Sequence, residues 1–112
     1  IDSVTSEWLP DQRERLGQLR EDTVIAFWRS DKLGRPANNG SGVIATPGAI
    51  HEAPGPLALC ERGTLHATLI PSKWKGERLW IVALHGTVIG DAEKFGCLKR
   101  EIIGEVPLEV FC

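Results

Sequence analysis

Residues 78–89, RLWIVALHGTVI, carry the strongest β-strand signal in the chain. The six residues from Leu79 to Leu84 form its longest apolar run. That run has the length of a strand and falls far short of the roughly 18–20 apolar residues that span a bilayer. Gly86, just beyond it, is expected to mark a β-bulge or a close approach of another backbone. This stretch is therefore predicted to be a principal strand of the fold.

Further strands are predicted on both sides of it. Residues 23–28 are rich in β-branched and aromatic side chains, which favour a strand. Residues 64–69, after a turn, are a second candidate strand, and residues 97–106 are predicted to be the last one. Pro71 is placed to open a single helical turn. Because the strands arrive in runs and do not alternate with helices, we expect an α+β fold. It would hold a small, mostly antiparallel or mixed β-sheet with one or two short helices.

The N-terminal region differs from the rest. Residues 11–22, DQRERLGQLRED, predict a short helix with Asp11 as its N-cap and with Leu16 and Leu19 on one face. We expect residues 1–22 to be a helical segment or arm and residues 23–112 to form a single β-rich α+β domain.

Composition limits the function classes. The chain has 112 residues, a net charge of −2, three Cys and no Met. Its length fits one domain, and its weakly acidic balance argues against general nucleic-acid binding. Three scattered Cys favour reduced thiols in a cytoplasmic protein, and the missing Met suggests a processed product or fragment. We expect a soluble protein without a cofactor or membrane segment whose partner is a protein, and the oligomeric state stays open.

A family resemblance starts at a Leu-Cys-x-x-Gly-x-Leu-His-Ala motif. The chain resembles small uncharacterised proteins encoded in phage and prophage genomes, and this likeness covers about half of it. The matching pieces are GPLALCERGTLHA (55–67), SKWKGERLW (72–80), VALHGTV (82–88), DAEK (91–94) and LKREIIGEV (98–106). The resemblance implies a small β-rich α+β domain acting in the host cytoplasm or associated with the virion. It implies no catalytic residues.

Three residues are candidates for catalysis. Cys60 and His66 flank a tight turn and would form an activated nucleophile if they met, with His85 as a third member. The alternative is that Cys60 is a small buried side chain and that His66 orders the turn. The Cys and His spacings lack the close ligand pairs of a zinc site, so no metal is expected.

Ligand-binding candidates lie in two short segments. Glu61 and Arg62 stand between Cys60 and His66, and a basic, aromatic cluster follows with Lys73, Trp74 and Arg78. Bases interleaved with Trp can bind single-stranded nucleic acid. The favoured interpretation is that the Trp rings pack into the core beneath the basic stems.

The carboxylates in the C-terminal part of the chain are candidates for general acid–base catalysis. Asp91, Glu93, Glu101 and Glu105 alternate with Lys and Arg. That interleaving is typical of a solvated strand face, which is the favoured interpretation.

Two functions remain. The first is a binding module that occupies a partner protein, with residues 11–22 and the Gly-rich residues 34–42 as exposed contacts. The alternative is a small enzyme or ligand-binding domain with a site around Cys60, Arg62, His66 and His85. A single pocket lined by Cys60, His66 and His85, with Glu or Arg converging on it, would favour the second.

Overall fold

The protein is described here by a computed structural model covering residues 8–19, 21, 23–33, 45–59, 64–70 and 76–106. Its elements are one helix and seven strands within these residues: α1 (Pro10–Leu19), β1 (Val24–Ser30), β2 (Ile50–Glu52), β3 (Leu65–Ala67), β4 (Arg78–His85), β5 (Ile89–Gly90), β6 (Phe95–Cys97) and β7 (Lys99–Val106). The predicted α+β class is confirmed. No helix in this part of the chain has both the length and the apolar composition needed to cross a membrane.

The strands form two antiparallel sheets. The larger sheet has the order β1-β4-β7-β2, and the smaller one has the order β3-β6-β5. Two connections tie the sheets together: β6 runs into β7 through Leu98, and Phe27 forms a bridge with Thr68 just after β3. The larger sheet therefore has one face toward the smaller sheet, the inner face, and one toward α1, the helix face.

Strand β4 is covered on both faces. Leu79, Ile81 and Ala83 belong to the cluster under α1. Trp80, Val82 and Leu84 belong to the cluster between the sheets. All six are at most 2 % exposed. The apolar run at 79–84 is continuous because neither face of this strand meets water.

Helix α1 docks on β7 by more than its two leucines. The indole of Trp8 donates to the carbonyl of Glu105 at 2.7 Å, and the amide of Gln12 donates to the carbonyl of Ile103 at 3.3 Å. Gly104 makes room for the Trp8 ring, since a Cβ there would lie 2.5 Å from Trp8 Cε2. Leu16 and Leu19 are buried in the same cluster.

Two local predictions were wrong. The helix begins at Pro10, so Asp11 lies in its first turn, and the Gln12 side chain instead accepts the Leu9 N–H at 2.8 Å. Gly86 is no bulge: its φ of +75° turns the chain as β4 ends, and open space surrounds it. The irregular pairing lies opposite Ile81 and Val82, where β7 pairs through Gly104 and Ile102 and leaves Ile103 as an extra residue.

Candidate functional site

Of the predicted site residues, the structure describes three: His66, His85 and Arg78. The other five lie outside the described residues: Cys60, Glu61, Arg62, Lys73 and Trp74. The Gly-rich residues 34–42 also lie outside them.

The two described histidine candidates lie on different sheets. His66 is on β3 and pairs with Gly96 in the smaller sheet, whereas His85 is the last residue of β4. Burial, together with the charges of Lys94 and Arg100, lowers the pKa of His66. His85 lines a pocket at the end of β4. His66 is not among the described residues that line this pocket.

The charge of Arg78 is paired within the fold. Its guanidinium lies 4.6 Å from the centre of the Trp80 ring, and it donates two hydrogen bonds, of 2.7 and 2.8 Å, to the carboxylate of Glu105. The bond to Glu105 raises the pKa of Arg78. Lys73 and Trp74 lie outside the described residues, so the interpretation of the whole cluster stays a prediction.

A pocket of about 360 Å³ opens where β4 ends. One wall is apolar and consists of Leu57, from the segment between β2 and β3, and Leu98, at the junction of β6 and β7. The remaining described lining is the β4 terminus and the first residue of β7: His85, Gly86, Thr87 and Lys99. Since His85 and Lys99 are partners in the β4–β7 ladder, the strand register itself brings them together.

Beside this pocket, His85 belongs to a hydrogen-bonded chain on the helix face. Its Nε2 lies 3.0 Å from Oε1 of Glu101. Glu101 also accepts two bonds from Arg15 of α1, at 2.8 and 2.9 Å. The bond from Arg15, aided by that from His85, lowers the pKa of Glu101 although the carboxylate is buried.

A second polar cluster fills the inner face. Arg100 is 2 % exposed, and its guanidinium stacks 4.1 Å from the centre of the Trp28 ring. It donates to Nδ1 of His51 at 2.9 Å and to the carbonyl of His66 at 2.7 Å, while its Nε has no partner among the described residues. Burial lowers the pKa of Arg100 to about 9.

These two clusters correct the prediction of a solvated strand face at the late charges. Glu101 and Arg100 are both buried, at 5 and 2 % exposure. Neighbouring residues of a strand point to opposite faces, and both faces of β7 are covered. Glu101 and Arg100 therefore enter two separate interiors, whereas Asp91 and Glu93 are exposed, as predicted.

The chemistry available in the described part is limited. It holds no group of three or more His, Cys, Asp or Glu side chains close enough to bind a metal ion. Cys97 is fully buried on the inner face, and burial raises the pKa of its thiol. His85 is held by a carboxylate, as a general base is, but it has no hydrogen-bonded nucleophile among these residues.

Comparison with known proteins adds no assignment. The resemblance to phage-encoded proteins stays a prediction. The chain matches no protein-family model, no curated protein and no solved structure.

Proposed function

We propose that this domain is a protein-binding module that holds a short, extended segment of its partner in the pocket at the end of β4. The observation that carries the proposal is a pocket whose described lining combines an apolar wall with Lys99, a lysine that forms no ion pair with a described residue. The bound segment has an apolar side chain next to an acidic one.

The apolar wall supports binding of a side chain. Leu57 and Leu98 are half-buried and face the pocket from different segments of the chain. A volume of about 360 Å³ is near the lower end of the roughly 300–1,000 Å³ found for ligand pockets. That space suits one or two amino-acid side chains better than a large cofactor.

The charge of Lys99 supports the acidic neighbour. Its ammonium forms no ion pair with a described residue, although Glu52 lies opposite it in the β2–β7 ladder. The nearby carboxylate of Glu101 is already neutralised by Arg15. Among the described residues, the uncompensated charge at the pocket is therefore positive and complements an acidic residue.

The test is a titration of the full chain with capped dipeptides, in which NMR records the backbone amide chemical shifts. Acetyl-Leu-Asp-amide is expected to shift the amides of Gly86, Thr87 and Lys99. Acetyl-Leu-Asn-amide should bind about two- to fivefold more weakly, the size of an exposed ion pair. Acetyl-Ala-Asp-amide should bind about tenfold or more weakly, because it buries fewer methylene groups.

Variants assign the effect to this pocket. Lys99→Gln should abolish the preference for Asp over Asn, whereas Lys32→Gln, at an exposed lysine after β1, should preserve it. Equal binding of acetyl-Leu-Lys-amide, or shifts that do not cluster at the pocket, would overturn the proposal. Cleavage of the Leu-Asp probe during the titration would instead favour the alternative, a small enzyme that uses His85 as a general base.

A further inference from the structure

We infer that His85 determines specificity in this pocket: its Nδ1 accepts a hydrogen bond from the backbone N–H of the partner residue whose side chain enters the pocket, and Glu101 positions the ring for this. The inference rests on the proposed function. It adds a requirement that the partner segment carry a hydrogen-bond donor, which the apolar wall and Lys99 do not impose.

The first step is the protonation state of Glu101. A carboxylate that receives two hydrogen bonds from a guanidinium is stabilised in its charged form, and a charged carboxylate only accepts hydrogen bonds. The contact of 3.0 Å between Glu101 and Nε2 of His85 must therefore be made by a proton on Nε2.

The second step is the tautomer of His85. A neutral imidazole carries one proton, so a ring with its proton on Nε2 has its lone pair on Nδ1. No described residue makes a hydrogen bond to this Nδ1. In its neutral form, the ring thus offers a single fixed acceptor.

The third step is access. The His85 side chain is 25 % exposed and lines the pocket. Strand β1 ends its pairing with β4 at Leu84, so His85 has a strand neighbour only on the β7 side. Beyond it, Gly86 turns the chain away, and a Cβ added there would meet nothing within 4 Å. A peptide can therefore approach the ring.

The fourth step is the partner group. An extended peptide exposes backbone N–H groups that need acceptors once they leave water. Strand-like ligands are held in this way, by main-chain bonds for affinity and by pockets for specificity. A fixed acceptor beside an apolar pocket suits the N–H of the residue that fills the pocket.

One experiment reads the tautomer directly. Long-range proton–nitrogen NMR of the His85 ring above pH 7.5 should show the proton on Nε2. Arg15→Gln keeps the carboxylate and should keep this tautomer, whereas Glu101→Gln should allow a mixture. A ring that carries its proton on Nδ1 in the unaltered protein would overturn the inference.

A second experiment reads the hydrogen bond in binding. Acetyl-Leu-Asp-amide is compared with the same probe N-methylated at leucine. The methylated probe should bind the unaltered protein about three- to tenfold more weakly, the range of one hydrogen bond. His85→Phe, which keeps an aromatic ring without the acceptor, should bind both probes equally. His85→Asn, whose side-chain oxygen falls near the position of Nδ1, should restore part of the preference.

The outcomes separate the two proposals. If both probes bind at the pocket with equal affinity, the role of His85 is wrong and the binding module stands. If neither probe binds, both proposals fall. Melting temperatures of the variants show whether any loss reflects unfolding.

Discussion

Two neighbouring residues of β7, Arg100 and Glu101, carry opposite charges into opposite faces of the larger sheet. On the helix face, Glu101 is paired with Arg15 and His85. On the inner face, Arg100 has no carboxylate partner among the described residues and relies on the Trp28 ring, His51 Nδ1 and a backbone carbonyl.

The difference lies in what each face can reach. The helix face is near the surface, so Arg15, whose side chain is 47 % exposed, can bring its guanidinium to Glu101. There pairing outweighs burial, and the pKa of the carboxylate falls. Between the sheets burial outweighs every favourable contact, and the pKa of Arg100 falls to about 9. A buried charge is thus stabilised on one face and tolerated on the other.

The largest expected effect tests that contrast at Arg100. Arg100→Ala should lower the free energy of unfolding by about 3 kcal/mol, since it leaves a cavity beside Trp28 and removes a donor from two acceptors. Arg100→Met should lose much less, because it refills the volume and removes the desolvation cost of the charge. Urea denaturation measures both changes.

Lys99→Ala is the matched control, at the exposed first residue of β7, and should change stability by less than about 0.5 kcal/mol. If Arg100→Met is as unstable as Arg100→Ala, the guanidinium charge itself stabilises the inner face and the contrast with Glu101 disappears.

Much of this fold follows from local sequence pattern. Strand β4 is predictable because an apolar run of six residues has the length of a strand, and a run without polar interruption indicates that both faces are covered. Helix α1 is predictable from the spacing of Leu16 and Leu19. The burial of Arg100 and Glu101 is not, because the same alternation of charges is expected on a solvated strand. What decides it is the presence of α1 on one face and the smaller sheet on the other.

The second prediction concerns the docking of α1 on the helix face. Gly104→Ala should destabilise the protein by about 1–3 kcal/mol, because its Cβ would overlap the Trp8 ring at 2.5 Å and displace the helix. Gly17→Ala, on the exposed side of α1, meets nothing within 4 Å and should stabilise by about 0.5–1 kcal/mol. Thermal melts of the two variants compare them directly.

Equal effects of these two alanines would show that Trp8 does not hold the helix against β7. In that case Arg15 and Glu101 would be the principal link between α1 and the sheet.

The candidate site was predicted only in part. His85 is recognisable from its residue type beside a glycine at the end of a strong strand. Leu57, Leu98 and Lys99 are not, because their meeting depends on the register of β7 against β4 and on the path of the chain between β2 and β3. Such long-range pairing leaves no local signature.

The smallest effects are expected from pH, and they separate the smaller sheet from the helix face. The pKa of His66, on β3 of the smaller sheet, is lowered from its ordinary 6.5 by burial and by the charges of Lys94 and Arg100, so the folded state favours the neutral ring. Its contribution to stability is complete above pH 6.5 and is lost as the pH falls from there. The pKa of Glu101 is lowered from 4.5, so its contribution is complete above pH 4.5 and is lost below it.

On acidification, the smaller sheet should therefore weaken before the helix face does. Urea denaturation between pH 8 and pH 3 should show two falls in the free energy of unfolding. His66→Gln should remove the first fall and leave the second. Glu101→Gln should remove the second, and Arg15→Gln should reduce it, because the loss of the guanidinium returns the pKa of Glu101 toward its ordinary value. If the first fall persists in His66→Gln, the acid-sensitive group is not His66 and this prediction is wrong.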